Sequence, residues 1–256
     1  RAADIKPILG MQAYYSIVDP SVRERDIDGE RYYHLILLAL NINGYKNLTA
    51  ISSKAYTEGL YYKPRVGDAL LADHSEDLVA TTACLGSRFS KLILLNRRAE
   101  AEKLITHHAQ MFPDRFFVEL QLHENDEQRE INKVLMDIAR VYNLPLILTS
   151  DSHYTHPEHK SLHEQALCMQ TNDTMSNPKR FSFGDIDVHF GTSEYMIQQC
   201  NLRGIPQEAI SNTLHLANMV DSDSYFAQAI NRYPQYQLLP KGATPWEELA
   251  YQAKVG

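Results

Sequence analysis

Two side chains that bind metal ions well stand two positions apart where an apolar run ends. The run "LPLILTS" (144–150) releases Asp151 and His153. In α/β proteins, polar residues just past strand C-termini converge on one mouth. A carboxylate and an imidazole there suit Zn²⁺-like or Mn²⁺-like ions. The same spacing also suits a loop with an Asx-turn and a surface histidine, and both readings stand. Cys84 falls at the end of a second apolar run, in "TTACLG" (81–86). A lone cysteine there is either a ligand or a small buried hydrophobe. His34 opens a third run, "HLILLAL" (34–40), as a donor or as a satisfied histidine at a strand edge. His156 and His159 follow Asp151 closely enough to orient it. His107 and His108 read as a solvated helix face, His74 and His163 as loop or helix surface, and Cys168 and Cys200 as packing.

Positioning these residues requires strands and helices, and the chain supplies both. Apolar runs at 5–15, 34–40, 77–83, 116–122 and 144–150 read as strands. Residues 127–143 carry Ile131, Val134, Leu135 and Ile138 on one helical stripe, and 87–112 reads as a further helix. Near-continuously apolar strands separated by amphipathic helices indicate an α/β sheet or barrel covered on both faces. Past residue 155 the alternation stops. "HPEHKSLHEQALCMQ" and "PQEAISNTLHLANMV" read as helices, and "RFSFGDIDVHFG" as a hairpin or extended loop. A domain boundary is expected near residue 200, with a helical linker segment over 201–256. There, Thr244, Pro245 and Glu247 form an N-terminal capping box. Both ends of the chain read as cut.

Composition bounds the chemistry. With 44% hydrophobic and 22% charged residues, the 256-residue chain is an ordinary globular one. A formal net charge of −7 argues against broad electrostatic grip on a phosphate backbone. It leaves room for a small cleft in which bound cations reverse the local field. Three scattered cysteines give no disulfide framework, so a cytoplasmic location is expected. No apolar run approaches the roughly 20 residues needed to span a bilayer. The sequence has no P-loop, no G-x-G-x-x-G after a strand, no C-x-x-C, no H-E-x-x-H and no G-x-S-x-G elbow.

Taken in order, the runs resemble the PHP (polymerase and histidinol phosphatase) domain of bacterial replicative DNA polymerase III α subunits. The stretches that carry the likeness include "IKPILGMQAYY", "YYHLILLALNINGYKNL", "LVATTACLGS", "FPDRFFVELQLHEND" and "LPLILTSDSHYTHPEH". The likeness extends to "LLPKGATPWEELAYQAK", similar to the approach to a polymerase thumb and palm. It implies a distorted (β/α)₇ barrel, incomplete at its N-terminus, with the PHP domain over 1–200. It also implies a mouth that holds up to three divalent ions, Zn²⁺ or Mn²⁺, for 3′–5′ exonuclease proofreading in active members. By motif match the ligands here are His34, Cys84, Asp151 and His153. DNA as primer-template, proofreading or clamp subunits as partners, and Mg²⁺ for a downstream polymerase follow from the same likeness, with no membrane partner.

Two departures qualify it. The family's opening H-x-H, the following aspartate and the next histidine have no counterpart in this sequence. Gln12 stands where the family's "G-x-E-A-Y" places an acid, and an amide lacks the charge of a bridging carboxylate. A catalytically degenerate scaffold that braces a polymerase is therefore the rival reading. A stand-alone phosphatase is a third.

Overall fold

The computed structural model describes residues 5–26, 28–184, 186–226 and 243–255. Its strands are β1 (Gly10–Tyr15), β2 (Tyr33–Ala39), β3 (Leu60–Tyr61), β4 (Lys63–Val66), β5 (Leu78–Thr81), β6 (Phe116–Gln121) and β7 (Leu146–Thr149). The helices are α1 (Ile42–Glu58), α2 (Asp68–Asp73), α3 (Arg88–Leu94), α4 (Arg98–Met111), α5 (Asp126–Tyr142), α6 (Lys160–Thr171), α7 (Ser193–Leu202), α8 (Glu208–Met219) and α9 (Pro245–Val255).

The strands form one sheet in the order β3-β4-β1-β2-β5-β6-β7. It is mixed rather than wholly parallel. β4 and β1, β5 and β6, and β6 and β7 pair parallel, whereas β1–β2, β2–β5 and β3–β4 pair antiparallel. Between β1 and β7, β2 alone runs the other way. Its first residue therefore lies along the edge where its neighbours end.

Period-two alternation sorts the strand side chains onto two faces. On one face Ala13, Leu35, Leu37, Ala80, Phe116, Val118, Leu146 and Leu148 are buried in the main core. The apolar stripes of α1, α3, α4 and α5 cover them, with Ile51, Phe89, Ile105 and Ile131 fully enclosed or nearly so. The opposite face is apolar at one end only. There Val79, Phe117 and Ile147 pack beneath Leu216 of α8, with Leu38 and Met219 alongside. Toward the other end this face turns polar.

Most expected elements are present, with instructive differences. The 127–143 helix is α5, stopped by Asn143 in the left-handed conformation. The single helix expected over 87–112 is two. Arg97 N–H donates to Leu92 O and Asn96 N–H to Ile93 O, with Asn96 at φ 57°. That is the paired bonding of a helix stop followed by a restart. The strand expected over 5–15 begins only at Gly10. His108, expected on a solvated face, is fully buried, whereas its neighbour His107 is exposed beside Asp68. Residues 180–184 and 186–191 are loop, with His189 in a bridge to Tyr154.

The chain divides into one unit over Arg1–Tyr225 and another over Phe226–Gly256. The boundary expected near residue 200 falls inside the first unit, because Leu216 seals the sheet and Asn212 Nδ2 donates to Leu146 O. In the second unit Thr244 caps α9 as expected: Glu247 N–H donates to Thr244 Oγ1, and Thr244 N–H to the Glu247 carboxylate. Residues 227–242, part of the expected linker, lie outside the described residues. No helix among those described is long and apolar enough to cross a membrane.

Candidate functional site

The polar end of the second face gathers the residues that strand ends deliver. Register fixes the arrangement. Gln12 pairs with Ile36 and Ile36 with Thr81, so these side chains share a face with His34 and Tyr14, themselves paired. Glu119 and Gln121 lie on the same face of β6, and Gln121 pairs with Thr149. His34 is the second residue of β2, yet it belongs to the rim because β2 is reversed relative to β1 and β5.

Loop conformation finishes the rim. Ala83 adopts φ 56° just past β5, and Asp151 adopts φ 47° just past β7. Aspartate tolerates this left-handed region better than most residues. These turns bring Cys84 and Asp151 back toward the mouth. The His34 Nδ1 atom lies 3.2 Å from Cys84 Sγ. Gly86 leaves space for that imidazole, since a Cβ there would sit 2.8 Å from His34 Nδ1. Asp151 is bracketed, with Oδ2 at 3.3 Å from His123 Nε2 and Oδ1 at 3.6 Å from His153 Nε2.

Electrostatics tie the two groups together. Burial pushes the His34 imidazole below its ordinary pKa, and the Asp151 charge opposes that shift. Burial also pushes the Cys84 thiol up to about 11, aided by the Asp151 and Glu119 charges and opposed by a hydrogen bond from Gly86 N–H. Burial alone would raise the Asp151 carboxyl. Hydrogen bonds from His123 and His153 outweigh it and hold Asp151 well below the usual carboxylate range. Its carboxylate in turn raises His153.

The four expected residues, His34, Cys84, Asp151 and His153, thus meet at one rim. Gln12 shares their face but lies one step further along the strand, exposed. His156 and His159 do not reach Asp151; their rings pack on each other at 5.1 Å. Two residues were missed. Glu119 is buried at 5% exposure and accepts from Thr149 Oγ1 at 2.5 Å, from Gln121 Nε2 at 3.1 Å and from Thr81 Oγ1. His123 is the side chain that holds Asp151. In "FFVELQLH" the alternation of Phe117, Glu119 and Gln121 was the available signal for Glu119.

A profile of the PHP domain matches residues 1–123. DNA polymerase III subunit alpha of Thermus aquaticus is 36% identical over 95% of this chain, that of Deinococcus radiodurans 32% over 99%, and that of Aquifex aeolicus 34% over 98%. This chain carries a PHP domain homologous to DNA polymerase III alpha subunits. It spans about a fifth of the length of these relatives, 19–23%.

The PHP rim has the right donor types for a borderline-soft divalent ion: imidazole, thiol and carboxylate. It places them in pairs. Among the described residues no group of three or more His, Cys, Asp or Glu side chains is arranged to hold one ion. His34 and Cys84 satisfy each other, and Asp151 is taken up by its two histidines. As they stand, these donors do not close a metal centre.

Proposed function

We propose that this chain is the PHP portion of a DNA polymerase III α-type replicative polymerase. In this reading its sheet is the wall of a distorted barrel, and the PHP portion runs through α8. The polar rim is a mouth for phosphodiester hydrolysis at DNA 3′ ends, and His34, Cys84, Asp151 and His153 contribute donors to a cluster of Zn²⁺ or Mn²⁺ that further residues complete. Nucleotide polymerisation, with its Mg²⁺, primer-template and replisome partners, belongs to the greater length that the relatives possess, in the cytoplasm.

The observation that carries this reading is the meeting of those four residues, drawn from three separate strand ends, at one rim. Ions held by His34, Cys84, Asp151 and His153 together with further residues would supply activation of a water near neutral pH. The chain's own contribution is orientation. His123 and His153 fix both oxygens of Asp151, and Thr81, Thr149 and Gln121 fix Glu119.

Gln12 and the pairwise contacts favour a second reading, a PHP scaffold that braces the polymerase without hydrolysing anything. Metal content separates the two. The full-length protein, purified without a metal-affinity step, is expected to carry at least one equivalent of zinc or manganese by mass spectrometry. Asp151→Asn should lower that content and abolish release of 3′ nucleotides. A wild-type protein with no bound metal, or unchanged content in the variant, selects the scaffold.

A further inference from the structure

A cavity of about 400 Å³ adjoins His34, lined by Arg25, Arg31, Tyr32, His34, Gly86 and Lys91 among others. Its wall continues into an aromatic cluster. The Tyr32 ring is parallel to His34 within 9°, and Tyr14 meets Tyr32 edge-on with ring centroids 4.7 Å apart. Arg31 lies 3.9 Å over the ring of Tyr62, and Lys63 lies 5.5 Å over Tyr14. Four tyrosines, counting Tyr61 packed against Tyr62, therefore stand beside the rim with cations between them.

Only part of the positive charge here is neutralised by carboxylates. Lys91 pairs with Glu30. Among the described residues Arg25, Arg31 and Lys63 have no carboxylate partner, and Arg31 Nε is buried without any hydrogen bond. On a chain of net charge −7, a local group of unpaired cations stands out against the background. The backbone adds a second sign. Tyr62 is the single residue between the paired Tyr61 and Lys63, and it is held at φ 63°. A bulky aromatic in the left-handed region is strained, and such strain clusters at binding sites. For that cost the hairpin presents a ring that is 68% exposed.

Exposed aromatic faces interleaved with cations are the chemistry of single-stranded nucleic acid binding. Each base stacks on a ring, and the phosphates between bases meet the charges. We propose that Tyr32 and Tyr62, with Arg31 and Lys63, form a platform for the last nucleotides of a single strand and feed its end toward His34. The proposal rests on the preceding reading for what happens at that end, but binding itself requires no ion. A duplex has its bases stacked internally and is excluded from such a platform.

The test is fluorescence anisotropy of the protein with labelled (dT)₁₂, (rU)₁₂ and a 12-base-pair duplex, in EDTA. The wild type is expected to bind the single strands and to prefer them over the duplex at least tenfold. The dT and rU arms show whether DNA or RNA is the source. Tyr32→Ala should weaken binding about 5- to 150-fold, the range of one lost stacking contact, and Tyr32→Phe should restore it. Arg31→Ala should reduce the dependence of log Kd on log salt by about 0.7, the share of one phosphate on a single strand. Because Tyr62 is exposed, Tyr62→Ala is expected to keep the circular dichroism spectrum and melting temperature, so a fold defect in the Tyr32 variant cannot mask the outcome. Equal affinity for duplex and single strand, or wild-type affinity in Tyr62→Ala and Arg31→Ala, overturns the platform. A wild-type protein that carries no metal yet binds the single strands would instead refute the hydrolytic reading and leave the platform standing.

Discussion

Acidification should unfold this protein partly through one histidine of α4. His108 is 0% exposed, and its ring is surrounded by Tyr15 and Phe89 at 5.3 Å and Phe116 at 6.0 Å. Its Nδ1 lies 3.0 Å from Leu104 O, while Nε2 is buried without a partner. Burial disfavours the imidazolium and lowers the pKa from 6.5 to about 4, although the Leu104 carbonyl and Asp68 pull the other way. The sign follows directly. Between pH 6.5 and 4 the unfolded chain takes up a proton that the folded chain refuses, so stability falls as pH falls. At about 1.4 kcal/mol per pH unit, the loss over this interval is roughly 3 kcal/mol. Urea unfolding of the wild type and His108→Leu at half-unit steps from pH 7.5 to 3.5 isolates this contribution from that of the carboxylates. The stability difference between the two proteins should shift by roughly 3 kcal/mol in favour of the variant across the window, then level off below pH 4. A difference that stays constant with pH would refute the assignment of a neutral, buried His108.

Glu119→Leu removes the acceptor for Thr81, Gln121 and Thr149 inside the rim. Unpaired buried donors should cost about 2–4 kcal/mol in urea unfolding at pH 7; a loss below about 0.5 kcal/mol would mean that water already serves those groups. Gly86→Ala places a methyl against His34. It should cost about 1–3 kcal/mol and shift the His34 ring resonances, whereas an unperturbed ring would show that the loop yields instead. Leu216→Ala opens the apolar end of the second face and should cost about 2–4 kcal/mol. Native-like stability in that variant would detach α8 from the folded unit.

What was legible in the sequence follows from how local its physical cause is. The α5 stripe is a strong 3.6-residue pattern, and the element lies within one residue of its expected bounds. The β3–β4 hairpin is too short and too polar, with Pro64 inside it, to give a periodic signal. His107 and His108 are adjacent on one helix and about 100° apart around it. Only packing decides that one is wet and the other enclosed. The position of Asp151 and His153 just past a strand was legible because the apolar run before them is a local pattern. His123 was not, because its role depends on β6 lying beside β7. His34 stands at the start of its apolar run rather than past the end, and only the direction of β2 in the sheet explains why it reaches the same rim.

That reversal of β2 has a structural price tag attached to its register. Six pairings with β1 and four with β5 clamp the strand from both sides. A slip by one residue would turn His34 into the helix-covered hydrocarbon and push Leu35 out among the polar groups. Neither exchange is tolerable, so partial misalignment has no low-energy form. Any molecule that completes its central sheet must already have seated this imidazole, and no later step is needed to install it.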